Sequence, residues 1–190
     1  MSRRLPLLVI VCVSVAVAAD PSKYDYRLLA TTKTSTMEKE MNEAADAGYV
    51  YAGVMGGETA LGGNEVVVVM ARDLSAQAPA RKKYKLLATS KTSTMQKELQ
   101  QARDEGFEYR GQTVFASSFG GREVAAIMER DPDAPPLRRV YRLLATSKTS
   151  TMQKELREAG EAGFRLLGLT VAETALRGKE IVCILGKEDE

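Results

Sequence analysis

The sequence predicts an α+β protein built from three tandem β-α-β-β repeats, and three observations predict it. One stretch occurs three times, as YRLLATTKTSTMEKEM at Tyr26–Met41, YKLLATSKTSTMQKEL at Tyr84–Leu99 and YRLLATSKTSTMQKEL at Tyr141–Leu156. After each copy the same punctuation returns: a glycine followed by an aromatic (Gly48-Tyr49, Gly106-Phe107, Gly163-Phe164), then a further glycine (Gly53, Gly111, Gly168) and a glycine-bearing turn. The run that closes each unit, VVVVM, VAAIM or IVCIL, is apolar on both faces. One helix covers only one face of a three-stranded sheet, so the second face must be buried against the other copies. The arrangement expected is pseudo-threefold, with the repeats sharing a core, sheets inside and helices outside.

Ahead of the repeats, residues 1–19 have the layout of a cleaved secretory signal peptide. Arg3 and Arg4 form the positive start, Leu5–Val15 is the apolar run, and Ala16-Val17-Ala18 or Val17-Ala18-Ala19 supplies the small-residue cleavage pattern. The run is shorter than the ~18–20 residues a spanning helix needs. The expectation is a secreted or periplasmic protein with no membrane attachment after cleavage. Losing Arg3 and Arg4 from the 27 basic residues leaves them matched to the 25 acidic ones. A neutral surface without basic–aromatic interleaving argues against nucleic acid as a partner. Cys183 is then the sole cysteine, so packing rather than disulfides has to supply stability.

Repeat 1 spans 23–73, repeat 2 spans 82–131 and repeat 3 spans 139–188, joined by the short extended linkers 74–81 and 132–138. The first strand of repeat 2, Tyr84–Thr89, puts Tyr84, Leu86 and Ala88 on one face and Lys85, Leu87 and Thr89 on the other. A helix follows. Ser93 with Gln96 three residues on reads as a capping box, repeated by Ser35/Glu38 and Ser150/Gln153. Met95, Leu99, Ala102 and Gly106 mark the buried helix face, with Lys97, Glu98 and Gln101 outside. Gly48, Gly106 and Gly163 stand where a left-handed residue ends the helix. A second strand, a hairpin turn and the apolar third strand complete the unit, the turns being Gly62-Gly63-Asn64, Gly120-Gly121-Arg122 and Arg177-Gly178-Lys179.

Tyr84, Leu86, Glu98-Leu99, Gly106-Phe107 and Gly121, with their counterparts, give the chain a likeness beyond its own repeats. A short aromatic-led strand, a helix ending E-L-x-x-A-x-x-x-G-aromatic and a G-x-E-led apolar strand resemble a small bacterial family of single β-α-β-β domains classed as a domain of unknown function. That family usually carries Trp after the helix-ending glycine, where this chain has Tyr or Phe. The resemblance implies the fold of each unit and no chemistry.

Catalytic readings are narrow. The chain has no histidine, which removes His-based general bases, triads and metal ligands. Cys183 lies in an apolar run, where thiols are inert. Glu98 and Glu123 read as solvated charges, and Met37, Met95 and Met152 as core filler. No cofactor or metal is expected. The candidate binding residues are Lys33, Thr34 and Ser35, Lys91, Thr92 and Ser93, and Lys148, Thr149 and Ser150. Hydroxyls, a lysine and free N–H groups at a helix start suit an anionic small molecule. Against this, Ser caps helices without any ligand, and the glycines of a phosphate-binding loop are missing upstream. The function expected is a non-enzymatic binding or structural module, its partner an anionic small molecule or another protein. The alternative is a hydrolase or transferase using the same loops.

Divergence between the copies is uneven. Repeats 2 and 3 agree at 15 of 16 positions in the shared stretch but at only 6 of 16 over Gln100–Phe115 and Arg157–Ala172. Folding constrains core positions in both halves alike, so the shared stretch carries an added constraint, either a ligand or a contact between copies.

Overall fold

The computed structural model describes residues 23–59, 63–76, 81–116, 122–137, 139–174 and 178–189. The expected leader, 1–19, lies outside them, as do Gly62, Gly120, Gly121 and Arg177 of the hairpin turns. The first unit is β1 (Tyr24–Thr31), α1 (Thr34–Asp46), β2 (Val50–Thr59) and β3 (Gly63–Asp73). The second is β4 (Lys83–Thr89), α2 (Thr92–Asp104), β5 (Glu108–Ala116) and β6 (Arg122–Arg130). The third is β7 (Arg139–Thr146), α3 (Thr149–Glu161), β8 (Arg165–Thr174) and β9 (Gly178–Glu188). Each unit is a three-stranded sheet with the closing strand in the middle, in the orders β1-β3-β2, β4-β6-β5 and β7-β9-β8, every pair antiparallel. The third strand of each unit is thus inserted between two strands that a helix connects. This makes it the most enclosed strand and explains its two apolar faces.

Each helix ends where the glycine falls. Gly48, Gly106 and Gly163 have φ of 86°, 85° and 85°, the left-handed region in which a Cβ is strained. The chain then folds back on the last turn, with the Tyr49 amide donating to the Ala44 carbonyl at 3.1 Å, Phe107 to Ala102 at 2.8 Å and Phe164 to Ala159 at 3.0 Å. The aromatic after the glycine therefore packs on its own helix.

Two sides of each sheet have different partners. Val66, Val68 and Met70 of β3 pack with Met37, Met41, Ala44 and Ala45 of α1, all buried. The same cluster continues through Tyr84, Ala125 and Ile127 of the second unit. One register position over, Ala126 and Met128 meet Met95, Leu99 and Ala102 of α2 in a second cluster that runs on into Tyr141, Val182 and Ile184 of the third unit. A third cluster, Met152, Ala159, Cys183 and Leu185, stays within the third unit. Consecutive repeats thus share a core cluster, units one and two in the first and units two and three in the second, in place of the one core expected for all three. Each large apolar side chain buried across a junction contributes about 1.5–3 kcal/mol relative to exposure, so no unit is independent of its neighbour.

The pseudo-threefold arrangement is not observed. α1 lies against its own β1 and β3 and against β4, while β2 and β3 meet β5; α2, β5 and β6 repeat this against β7 and β8. No comparable packing among the described residues joins the third unit to the first. The decisive residues are the equivalent tyrosines: Tyr84 and Tyr141 are 3% and 2% exposed, Tyr26 is 64% exposed. A closed ring would bury all three alike. The units form an open row instead, with α1 and α2 at the junctions between consecutive sheets and α3 against its own unit. Each unit offers two different faces, so stacking propagates in one direction, and the rotation from unit to unit leaves the outer face of the third unjoined to that of the first.

Candidate functional site

The nine candidate residues stand at the three helix starts, but the helices begin earlier than the capping-box pattern implies. Lys33, Lys91 and Lys148 occupy the N-cap position in extended backbone, and no side chain caps any of the three helices. The Thr31, Thr89 and Thr146 hydroxyls accept the amides of these lysines at 3.2, 3.1 and 3.2 Å. That two-residue turn fixes the lysine as the last extended residue, and its carbonyl accepts the first full helical bond, from Met37, Met95 or Met152, at 3.0 Å each. Ser35, Ser93 and Ser150 fall inside the first turn and are exposed. The expected Ser caps are therefore corrected, and among the described residues no side chain accepts a hydrogen bond from the first-turn amides. Each Lys-Thr-Ser triplet stays at its own helix; no described hydrogen bond or ion pair joins one triplet to another.

The other half of the expected capping box has a different task. Gln96 does not return to Ser93. Its side-chain oxygen accepts the Leu143 amide at 2.7 Å and its nitrogen donates to the Tyr141 carbonyl at 2.9 Å, while Gln100, one turn on, donates to the same carbonyl at 2.6 Å. In the preceding junction Glu38 accepts the Leu86 amide at 2.8 Å. Asn42 accepts the Tyr84 amide at 3.0 Å and donates to its carbonyl at 2.9 Å. The first strand of units two and three is an edge strand whose outward N–H and C=O groups would otherwise be orphaned. Two side chains at i, i+4 on the preceding helix satisfy them.

The buried tyrosines complete each junction. β2, β5 and β8 carry an irregularity in register at Tyr51/Gly53, Tyr109/Gly111 and Leu166/Gly168. It frees an amide: the Tyr51 N–H donates to the Tyr84 hydroxyl, and the Tyr109 N–H to the Tyr141 hydroxyl, each at 2.8 Å. The Tyr84 hydroxyl in turn donates to Glu129 at 2.7 Å. Burial, with the Glu129 charge second, holds the Tyr84 hydroxyl far above its ordinary pKa, and burial alone leads for Tyr109 and Tyr141. The glycine beside the irregularity makes room for the neighbour. A Cβ at Gly111 would lie 2.2 Å from the Tyr51 hydroxyl oxygen, and one at Gly168 1.8 Å from that of Tyr109.

Two concavities accompany these contacts. One, of about 330 Å³, lies between α2 and the third unit and is lined by Thr92, Ser93, Gln96, Leu143 and Glu155 among others. It brings two candidate hydroxyl residues to a junction, with a carboxylate opposite. The other, about 320 Å³, lies in the third unit among Arg139, Arg165, Lys187 and Glu188, residues spread over three strands whose grouping no local motif signals. No group of three His, Cys, Asp or Glu side chains among the described residues could hold a metal ion. Cys183 is buried, its thiol pushed up by burial, with its Sγ 3.6 Å from Met152 Sδ. Glu98 departs from the solvated charge expected of it: its Oε2 is buried without a hydrogen-bond partner, and desolvation raises its pKa. Among the described residues no helix is long and apolar enough to cross a membrane.

Comparison with known proteins gives no relative: no family model, no curated protein and no solved structure matches this chain.

Proposed function

We propose that the protein is an exported, non-enzymatic structural and binding module in which three β-α-β-β units, each like the domain of unknown function it resembles, form one directional stack. A single observation carries this reading. The thrice-repeated stretch contains both halves of the junction: the strand that is gripped (Tyr84, Leu86; Tyr141, Leu143) and the side chain that grips (Glu38, Gln96). A segment that must serve as both donor and recipient of the same contact is held more uniform than the rest of the fold, which accounts for the uneven divergence between copies. The test is cooperativity. Thermal unfolding followed by circular dichroism should be one transition in the native chain and separate or broaden in Gln96→Ala/Gln100→Ala. A single unshifted transition in that variant would refute the reading.

A second reading rests on the uncapped helix starts. First-turn amides without a side-chain acceptor, beside Lys33, Lys91 and Lys148, all exposed, suit a phosphate, sulfate or carboxylate group. Ligand-dependent stabilisation by inorganic phosphate, lost when the three lysines are changed to alanine, would support it. Equal stabilisation of that variant would remove it.

A further inference from the structure

We propose that copies of this protein associate head to tail, the exposed face of the third unit docking on the exposed face of the first as a third instance of the junction made twice inside the chain. The inference rests on the stacking reading above and extends it to a second copy.

The junction has a giving side and a receiving side. On the giving side, Tyr51 and Val54 of unit one, and Tyr109 and Gln112 of unit two, face the next sheet; the Gln112 side chain donates to the Val182 carbonyl at 3.3 Å. The positions equivalent to Tyr51 and Val54 in unit three are Leu166 and Leu169. They are 52% and 60% exposed, with Val171, two residues on, at 63%. Gln153 and Arg157 hold the places of Gln96 and Gln100 and are exposed as well. On the receiving side, Tyr84 and Tyr141 are buried and Leu86 and Leu143 partly buried, whereas Tyr26 and Leu28 are 64% and 67% exposed and Met55 on the same sheet 62%. Gly111 and Gly168 are filled by a tyrosine of the preceding unit. At Gly53, the third glycine of the set, a Cβ would meet nothing within 4 Å.

The exposed ends are therefore the unmatched halves of one interface. They carry its parts: a row of apolar side chains on each side and an open glycine position that would receive Leu166. Gln153 has the donor and acceptor that Leu28 N–H and Tyr26 C=O require, and Arg157 adds a donor to the Tyr26 carbonyl, as Gln100 does to that of Tyr141. Such an interface is heterologous. It joins unlike faces, so it forms a ring if the rotation closes and a filament if it does not.

Two single variants and their mixture test this. Sedimentation velocity of the full chain over a concentration series should show species larger than the monomer. Leu28→Asp and Leu169→Asp, both at exposed positions, should each stop growth past the monomer with an unchanged far-ultraviolet spectrum. Mixed one to one, they should form a heterodimer, because each retains the face the other has lost. Tyr26→Lys should reproduce Leu28→Asp. A native chain that stays monomeric throughout, including one whose first face is covered by its own leading residues, overturns the proposal; so does assembly that survives both variants, or variants that do not pair when mixed. Loss of cooperativity in Gln96→Ala/Gln100→Ala alongside a monomeric native chain would sink this inference alone and leave the stacking reading standing.

Discussion

The side-chain oxygen of Gln96 on α2 accepts the backbone amide of Leu143 on β7 at 2.7 Å, so a helix of one unit completes the edge strand of the next. Its equivalent Glu38 does the same for Leu86 at 2.8 Å, and its other equivalent, Gln153, is exposed at the end of the row. Gln96→Ala should accordingly cost about 1–3 kcal/mol, the penalty for stranding a part-buried amide. Gln153→Ala should stay within about 0.5 kcal/mol, as surface changes do. Urea denaturation of both variants at a concentration low enough to keep the chain monomeric checks the contrast; equal effects would mean that the junction bond is not what Gln96 contributes.

The three equivalent tyrosines should grade in the same manner. Tyr84→Phe removes a hydroxyl that serves both the Tyr51 amide and Glu129, Tyr141→Phe one that serves the Tyr109 amide, and Tyr26→Phe one on an exposed ring. The counterpart of Glu129 in the third unit is Gly186, so Tyr141 has no carboxylate to satisfy. The expected order of destabilisation is Tyr84 over Tyr141 over Tyr26, with the first on the order of 2 kcal/mol and the last close to zero. Chemical unfolding of the three variants reads that order directly.

Alkaline pH supplies an independent measure of the same groups. Burial is the chief cause that raises the folded pKa values of Tyr84, Tyr109 and Tyr141 above the ordinary tyrosine value of about 10. A raised folded value means that the folded chain keeps its phenolic protons where the unfolded chain gives them up. Their contribution is complete below pH 10 and is lost as pH rises from there toward the folded values. Each tyrosine should lower stability by up to about 1.4 kcal/mol per pH unit in that window. Denaturation midpoints between pH 9 and 11 should fall steeply in the native chain and less steeply in Tyr84→Phe. Parallel curves for the two would contradict the assignment.

The glycines beside the strand irregularities offer a steric test. Alanine at Gly111 places a Cβ against the Tyr51 ring and should cost about 1–3 kcal/mol through displacement of that ring. Alanine at Gly53, where the added carbon meets nothing, should leave the monomer's stability nearly unchanged. Melting temperatures of the two variants separate these outcomes.

Much of the unit was legible in the sequence, and the reason is local. The helix-ending glycines, the buried methionines and the two-faced third strands are set by backbone geometry and periodicity within a few residues. The side-chain partners were not legible at the same level. Gln96 three residues after Ser93 fits a capping box by spacing alone, yet the Thr89 hydroxyl starts the helix early and leaves Gln96 facing a strand 45 residues away. The direction of stacking depends on such contacts between units, so a closed threefold ring and an open row are equally compatible with the repeat. The exposure of Tyr26 decides between them. The one pointer available in advance was the divergence between copies, which marked the shared stretch as doing more than folding its own unit.

The gripping residues precede the strand they grip in every junction: Glu38 and Asn42 are made before Tyr84, and Gln96 and Gln100 before Tyr141. A chain that emerges from its N-terminus, as all chains do during synthesis, thus presents a finished helix to each new strand as it appears. The first unit acts as a template for the second and the second for the third. Within a unit the first two strands wait for the closing strand that inserts between them. The outer edge of each new unit's first strand, however, meets a helix already made, and the hazard of an unpaired edge passes down the molecule one unit at a time.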